Sequence, residues 1–164
     1  MTYDYIKAFT DGHAVNCQVA EYLRSRGIHC YAPELQIAIN SAERRHLTLT
    51  EKDIVLEGLT HILEVKSSSR EFTEDPTEFP YDDTIVDTVS SFEDKLHKPC
   101  AYILVSKVTG AMIAIGVSSR PRWKKRTFFD HKQQLTDDFY LVNKQDIRHI
   151  DDLVEYLLKL QQKA

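Results

Sequence analysis

The amino-acid sequence predicts one α/β domain in which helices flank a central β-sheet. Three observations favour this class. Apolar residues recur at helical spacing near both ends of the chain, short apolar runs of strand length lie between them, and 164 residues with 42% hydrophobic composition suffice for one packed core. Residues 1–164 are therefore expected to form a single domain.

The first predicted element is a helix over residues 12–27. Val15, Val19 and Leu23 recur on one helical face, and Gly27 follows at the position where a left-handed glycine commonly ends a helix. A β-meander is predicted next, because the following apolar runs have the length of strands and are separated by polar or glycine-containing links. Its strands cover 28–32, 35–39, 47–56 and 60–66, with a polar link at 40–45 and a hairpin turn at 57–60.

The second half of the chain alternates in a similar way. Residues 67–80 have little periodicity and predict a surface loop. An acidic start at 82–84 and an apolar stripe predict a helix that ends near Pro99. The stripe consists of Ile85, Val89, Phe92 and Leu96. Strands are then expected at 100–106, 111–117 and 139–142, followed by a helix from 151 or 152 with Leu153, Tyr156, Leu157 and Leu160 on one face.

Charge and cysteine content bear on the expected environment. The chain has 21 Lys or Arg and 25 Asp or Glu, a net charge of −4, which taken alone argues against a protein that grips nucleic acid. Three Cys without CxxC spacing predict reduced thiols rather than disulfides or a zinc site. Since no signal-peptide region and no apolar run of membrane-spanning length is found, we expect a cytoplasmic protein in a reducing compartment that does not bind membranes.

One segment departs from this acidic average. Residues 118–132, here called the basic segment, contain six Lys or Arg and one acid, which leaves 15 basic and 24 acidic residues elsewhere. Cations interleaved with aromatic residues suit a nucleic-acid backbone, and Trp123 would either stack on a base or pack beneath the segment. Alternatively, the segment is only solvated, and Phe128 and Phe129 are core residues of a short strand. The predicted nucleic-acid-binding residues are Arg120, Arg122, Trp123, Lys124, Lys125 and Arg126.

Asp53, Glu64 and Lys66 form the main candidate site. Alternate residues of a strand share a face, so Glu64 and Lys66 point one way while their apolar neighbours point into the core. A two-residue or four-residue hairpin turn places Asp53 on that same face, and the four-residue turn places it directly opposite Glu64. A three-residue turn sends Asp53 to the other face.

Two neighbouring carboxylates repel each other, so a cation is expected to offset them. Mg²⁺, with Mn²⁺ as a substitute, takes oxygen ligands from one or two carboxylates, water and a substrate phosphate. Such an ion orients and acidifies an attacking water and stabilises charge that develops on phosphorus. Lys66 would hold that water, help to deprotonate it, or contact the phosphate. Alternatively, the three residues form an exposed cross-strand salt bridge without a catalytic role.

Asp53, ten intervening residues and then Glu64-Val65-Lys66 resemble the motif of the PD-(D/E)xK nuclease superfamily. The predicted order of helices and strands resembles that of the superfamily over most of the chain. The motif itself consists of only three residues, Asp53, Glu64 and Lys66. It implies a restriction-endonuclease-like core with a central mixed β-sheet flanked by helices. It also implies a metal held by Asp53, Glu64 and the backbone carbonyl of Val65, and hydrolysis of phosphodiester bonds, with DNA as the expected substrate.

The chain departs from the superfamily pattern in two places. Lys52 stands where the motif has Pro, and the first helix lacks a well-placed Glu, which many members use as a further metal ligand. Asn16 or Gln18 occupies the expected position of that Glu, and both are poorer metal ligands. Glu21 is the one Glu of the helix, and it lies off the apolar face.

The resemblance further implies a homing-type, restriction-type or junction-resolving endonuclease. Because cutting both strands of a duplex needs two active sites, a homodimer or higher symmetric oligomer is expected. The alternative is a catalytically inactive nucleic-acid-binding or assembly protein that retains the nuclease fold. A third possibility, a small-molecule or protein-interaction domain with an incidental motif, predicts Asp53 and Glu64 on opposite faces of the sheet.

Overall fold

A computed structural model of the protein describes residues 4–131 and 133–164, leaving aside the side chains at 5, 6, 48 and 49. Its helices are α1 (Tyr5–Ser25), α2 (Ser41–Thr50), α3 (Val89–Asp94) and α4 (Ile150–Lys163). Its strands are β1 (Cys30–Tyr31), β2 (Ile54–Leu56), β3 (Ile62–Ser68), β4 (Asp83–Thr88), β5 (Ala101–Ser106), β6 (Met112–Gly116), β7 (Lys124–Asp130), β8 (Leu135–Asn143) and β9 (Ile147–His149). Short 3-10 helices cover Pro76–Glu78, Val117–Arg122 and Lys144–Asp146.

A mixed six-stranded sheet forms the centre of the molecule, with strands in the order β1-β2-β3-β5-β6-β9. Strands β3 and β5 run parallel, and the other neighbours are antiparallel. A second sheet has three antiparallel strands in the order β4-β8-β7. The predicted α/β class with a central mixed sheet is confirmed, and the small sheet is an addition to it.

Two hydrophobic cores lie on opposite sides of the large sheet, because alternate residues of its strands face opposite ways. Ile103 of β5 belongs to the core that contains Leu23 of α1 and buried residues of α4. Its neighbour Tyr102 belongs to the second core, with Phe92 of α3 and Tyr140 of β8. Helices α1 and α4 thus cover one face of the sheet, while α3 and the small sheet cover the other.

The strands predicted at 35–39 and 47–56 and the polar link at 40–45 are wrong over most of their length. Residues Ser41–Thr50 form α2, and 35–39 have no regular structure. Asn40 accepts the Glu43 N–H (2.8 Å), and the Glu43 carboxylate accepts the Ile39 N–H (3.4 Å). This reciprocal capping starts a helix more strongly than the alternation of two leucines favours a strand.

The helix predicted from 82 to 98 is also wrong. Asp83–Thr88 form β4, and α3 follows only over Val89–Asp94. Five of the six residues at 84–89 are β-branched, and such residues favour strands. As a result the expected apolar stripe is divided: Phe92 is buried, whereas Ile85 and Leu96 are exposed.

Other predicted elements are confirmed with shifted boundaries. Helix α1 begins at Tyr5 rather than at residue 12, because Asp4 caps it by accepting the Lys7 N–H, and Gly27 has the expected left-handed backbone (φ +89°). The hairpin turn at 57–60 is confirmed. The strand predicted at 28–32 shortens to β1, the strands at 100–106, 111–117 and 139–142 correspond to β5, β6 and part of β8, and the terminal helix is α4. The alternative of a short strand at Phe128 and Phe129 is confirmed as β7, but their assignment to the core is wrong, because Phe128 is half-buried and Phe129 is 47% exposed. Strand β9 was not predicted.

The cysteines and the helices can be compared with the expectation of a reducing compartment and no membrane binding. Cys17, Cys30 and Cys100 are free thiols, as predicted. Among the residues at 4–131 and 133–164, no helix has both the length and the apolar character that crossing a membrane requires.

Candidate active site

Strands β2 and β3 bring Asp53 and Glu64 together. Ile54 pairs with Leu63, and this register, continued by one residue, places Asp53 opposite Glu64, as the four-residue turn predicts. Oδ2 of Asp53 accepts a hydrogen bond from the Val65 N–H (2.8 Å), which fixes the carboxylate against β3. The two acids lie on the same side of the sheet, which argues against an incidental motif with the acids on opposite faces.

The alternation of β3 separates its charged side chains from its apolar ones. Leu63 and Val65 are buried in the core beneath α1 and α4, whereas Glu64 and Lys66 point to the opposite face. The Glu64 side chain is only 14% exposed, so an exposed salt bridge does not describe it. Together with Asp53, these two charged residues line a cleft of about 610 Å³ whose walls are α1, α2 and β3.

Glu64 and Lys66 belong to a ring of alternating charges with Asp87 and Lys95, here called the charge ring. Lys66 Nζ lies 3.3 Å from Glu64 Oε1 and 3.3 Å from Asp87 Oδ1. Lys95 Nζ contacts Glu64 Oε2 and lies 3.2 Å from Asp87 Oδ2. Each lysine bridges both carboxylates, so the charge ring is neutral and Asp53 stays outside it.

Asp87 and Lys95 reach the site from outside the motif, on β4 and directly after α3. Both are buried. The Tyr102 hydroxyl donates to Asp87 Oδ2 (2.8 Å), and the Thr88 N–H donates to Oδ1 (2.8 Å). These bonds stabilise a carboxylate whose burial would otherwise be costly. Asp87 was not predicted as a site residue, because the segment around it was assigned to a helix. The β-branched residues at 84–89 were the available signal for a strand.

Burial and neighbouring charges set the protonation states of the site. Burial raises the pKa of Asp53, and the Glu64 carboxylate raises it further, to about 6. Partial burial acts to lower the pKa of Lys66, but the nearby carboxylates, Glu64 first among them, raise it above its ordinary value. Burial acts to raise the pKa of Asp87, but Lys66 and Lys95 hold it below its ordinary value. Lys66 is therefore an ammonium ion at neutral pH, but its charge does not fully offset the effects of burial and of Glu64 on the Asp53 carboxyl group.

The donor set around Asp53 fits a Mg²⁺ ion. A cation beside this carboxylate would offset the burial and the Glu64 charge that now raise its pKa. Within 4–131 and 133–164, no cluster of three or more His, Cys, Asp or Glu side chains is arranged to hold a metal. The chain would therefore supply two carboxylates, Asp53 and Glu64, and the Val65 carbonyl, a low protein ligand count that suits Mg²⁺ because this ion keeps several waters.

Of the two weak candidates on α1, Asn16 lines the cleft and Glu21 does not. Glu21 is exposed elsewhere on the helix. Two further polar residues, His13 and Glu51, line the cleft without belonging to the motif. Glu51 lies at the C-terminal end of α2, where burial of its carboxyl group and the charge of Glu64 raise its pKa.

Trp123 of the basic segment is a core residue. It is buried and donates its Nε1–H to Ser119 Oγ (2.8 Å). Its ring lies 5.3 Å from that of Phe92, in an edge-on arrangement. Of the two alternatives for Trp123, packing beneath the segment is therefore confirmed, and base stacking by this ring is wrong.

Two arginines of the basic segment, Arg120 and Arg122, are held tightly by acids of the same chain, and the third, Arg126, lies 3.8 Å from Asp83 Oδ2. Arg122 binds both carboxylate oxygens of Asp146 at 2.8 to 3.1 Å. Arg120 forms an ion pair with Glu93. Both guanidinium groups are thus already engaged in the protein.

Strand β7 carries the remaining described cations of the basic segment, since Lys132 lies outside the described residues. Its residues 128–130 line a second cleft of about 620 Å³, and Lys66 lines this cleft as well. The cations therefore lie at the N-terminal end of β7, and the other end of the strand lines the same cleft as Lys66 of the charge ring. Lys124, Lys125 and Arg126 are exposed on this strand.

No protein-family model, curated protein or solved structure matches this chain. The relation to the PD-(D/E)xK superfamily therefore depends on the residues and the geometry described above.

Proposed function

We propose that this protein is a metal-dependent endonuclease of the PD-(D/E)xK type that hydrolyses phosphodiester bonds in DNA. One observation carries the proposal: Asp53 and Glu64 lie opposite each other on neighbouring strands, with Lys66 on the same face and in the same cleft. Two carboxylates and a lysine are the groups that such hydrolysis needs. Asp53, Glu64 and the Val65 carbonyl would hold Mg²⁺, with Mn²⁺ as a substitute.

The chain's own residues would divide the remaining tasks. Bound Mg²⁺ supplies a Lewis acid that acidifies water and offsets charge on the phosphate. Lys66 stays protonated because the charge ring raises its pKa, so it acts as a hydrogen-bond donor that positions the water or contacts the phosphate. It does not serve as the base while those contacts persist.

Substrate would run across Lys66, because this residue lines the clefts on both of its sides. The exposed lysines of β7 would then bind the DNA backbone beyond the second cleft. Lys125 and Phe129 are four strand residues apart, roughly 13 Å or four base pairs of duplex. A homodimer or higher symmetric oligomer would supply the second active site for the other strand.

Removal of two exposed lysines tests this path. The double variant Lys124→Ala/Lys125→Ala is expected to lower the slope of log Kd against log salt concentration by about 2, because each phosphate contact contributes roughly 0.9. Fluorescence anisotropy with a labelled duplex, over a series of salt concentrations, measures the slope. Arg122→Ala should change it less, since Asp146 already holds this guanidinium.

The matched control removes two charges from α4 instead, as Lys159→Ala/Lys163→Ala. It should leave the slope unchanged, because neither lysine lines the clefts at Lys66. An equal slope in wild type and in the β7 double variant would exclude the basic segment from DNA binding.

Metal affinity should depend on pH because a proton and the metal compete for Asp53. The pKa of this carboxyl group is about 6 in the folded chain against an ordinary value of 3.8. Without metal, the free energy of unfolding therefore falls as the pH rises from about 4 to about 6, where the folded state alone retains the proton. The affinity for Mg²⁺ should rise with pH up to about 6, by as much as tenfold per unit, and level off near 7.

Calorimetric titration with Mg²⁺ in two buffers of different ionisation enthalpy measures both the affinity and the protons released. Below pH 6 we expect proton release that disappears near pH 7.5. An affinity that stays constant from pH 5 to pH 7, without proton release, would show that Asp53 is not a ligand.

Incubation of supercoiled plasmid with the wild-type protein tests the proposed function itself. We expect nicked or linear product with Mg²⁺ or Mn²⁺ and none with a chelator.

A second function is favoured by one observation: both oxygens of Glu64 are held by lysines. If the protein binds DNA but never cuts it with either metal, an inactive nucleic-acid-binding or assembly protein is the correct assignment.

A further inference from the structure

Lys95 is a buried cation that the nuclease motif does not include. Its side chain is 7% exposed, and its ammonium group contacts Oε2 of Glu64 and Oδ2 of Asp87. A lysine is rarely buried to this extent unless it is paired. In the charge ring it occupies the side of Glu64 that Lys66 leaves open.

The position of Lys95 is built by its surroundings. It follows α3 directly, and that helix is anchored by Phe92, which is fully buried, and capped by the Thr88 side chain. Asp87, on the other side of the ammonium group, is itself fixed by the Tyr102 hydroxyl (2.8 Å). Lys95 is thus held by the fold and does not reach Glu64 by chance.

We infer that Lys95 is a positioning residue that competes with the metal for Glu64. The inference rests on the proposed function. Glu64 Oε2 cannot serve Lys95 and a divalent ion equally well, so Lys95 must retain Asp87 and give up Glu64 when the metal site is loaded. The ion pair with Asp87 would keep the Lys95 ammonium group next to the site after its contact with Glu64 is broken.

This role has a consequence for metal affinity. Part of the binding free energy of the ion goes into separating Glu64 from Lys95, because opposite charges in contact inside a protein attract strongly. Removal of the ammonium group leaves Oε2 of Glu64 without its lysine partner and available to the metal ion. Lys95→Met should therefore bind Mg²⁺ more tightly than wild type, by about tenfold or more.

The experiment is calorimetric titration of the full-length protein with Mg²⁺ and, separately, with Mn²⁺. It compares wild type, Lys95→Met and the control Lys98→Met. Lys98 lies in the same segment as Lys95, but it donates to the backbone oxygens of Glu93 and Lys95 and not to the carboxylates of the charge ring. Lys95→Arg, which retains the charge, should keep an affinity near that of wild type. The double variant Asp87→Asn/Lys95→Met loses one charge of each sign and provides the same comparison if the single variant does not fold.

Tighter metal binding by Lys95→Met or by the double variant, with Lys98→Met and Lys95→Arg unchanged, supports the inference. The same result supports it if wild type binds too weakly to measure and only the variants without Lys95 bind. If wild type and Lys95→Met bind Mg²⁺ with equal affinity while Glu64→Gln does not bind it, the inference is wrong and the metal site at Glu64 stands. If no variant binds either ion, the inference and the proposed metal-dependent function fail together.

Discussion

Glu64→Gln should abolish DNA cleavage while the protein stays folded and continues to bind DNA. The amide has the shape of the carboxylate but lacks its charge, so the metal loses one of its two side-chain ligands. A bound metal is worth several kcal/mol of transition-state stabilisation, and each 1.4 kcal/mol is a factor of ten in rate. We therefore expect the cleavage rate at saturating Mg²⁺ to fall by about 10³-fold or more.

A single-turnover assay on a labelled duplex measures this loss, and anisotropy without metal measures the retained DNA affinity. The control Glu57→Gln makes the same chemical change in the hairpin turn, at an exposed residue seven positions before Glu64. It should cleave at the wild-type rate. Normal cleavage by Glu64→Gln would show that Asp53, Glu64 and Lys66 are not the active site.

Phe92→Ala should cause the largest loss of stability of any single truncation considered. Phe92 is fully buried, and its ring centroid lies 5.3 Å from that of Trp123 and 5.8 Å from that of Tyr140. Truncation leaves a cavity between α3 and the small sheet, and such changes cost about 3–5 kcal/mol of unfolding free energy. Because Lys95 follows α3, the same change should also loosen the charge ring.

Urea denaturation followed by the fluorescence of Trp123, the single tryptophan, measures this effect next to the substituted ring. Phe129→Ala is the matched control, because Phe129 is 47% exposed at the end of β7. It should change the unfolding free energy by no more than about 1 kcal/mol. An equally small effect for Phe92→Ala would mean that α3 is not packed as described.

The local parts of the fold were predictable from sequence, and the parts that depend on distant partners were not. Strands β5 and β6 are almost wholly apolar, so their type is evident without knowledge of their neighbours. The register of the hairpin between β2 and β3 depends on the length of its turn, which the sequence left open at two, three or four residues. The structure has the four-residue turn, and this places Asp53 opposite Glu64. Helix α2 was missed although its capping signal is local, at Asn40 and Glu43, because two leucines nearby suggested a strand.

The candidate site was predictable to the same extent. Alternation alone places Glu64 and Lys66 on one face of β3, and an even-length hairpin turn adds Asp53 to that face. Asp87 and Lys95 belong to another sheet and to the segment after α3, and only the packing of that sheet against β3 and β5 brings them to Glu64. Asp87 lies within an acidic stretch, 71–94, that has no Lys or Arg, and it still contributes to the centre of the site through its contacts with Lys66 and Lys95.

Diffraction from a crystal of the protein soaked in Mn²⁺ tests the two-carboxylate metal site most directly. We expect one anomalous peak between Asp53 and Glu64, about 2 Å from a carboxylate oxygen of each, with Lys95 still bound to Asp87 and displaced from Glu64. A map without that peak at saturating Mn²⁺, in which Lys95 retains Glu64, would contradict the metal site and the nuclease function proposed from it.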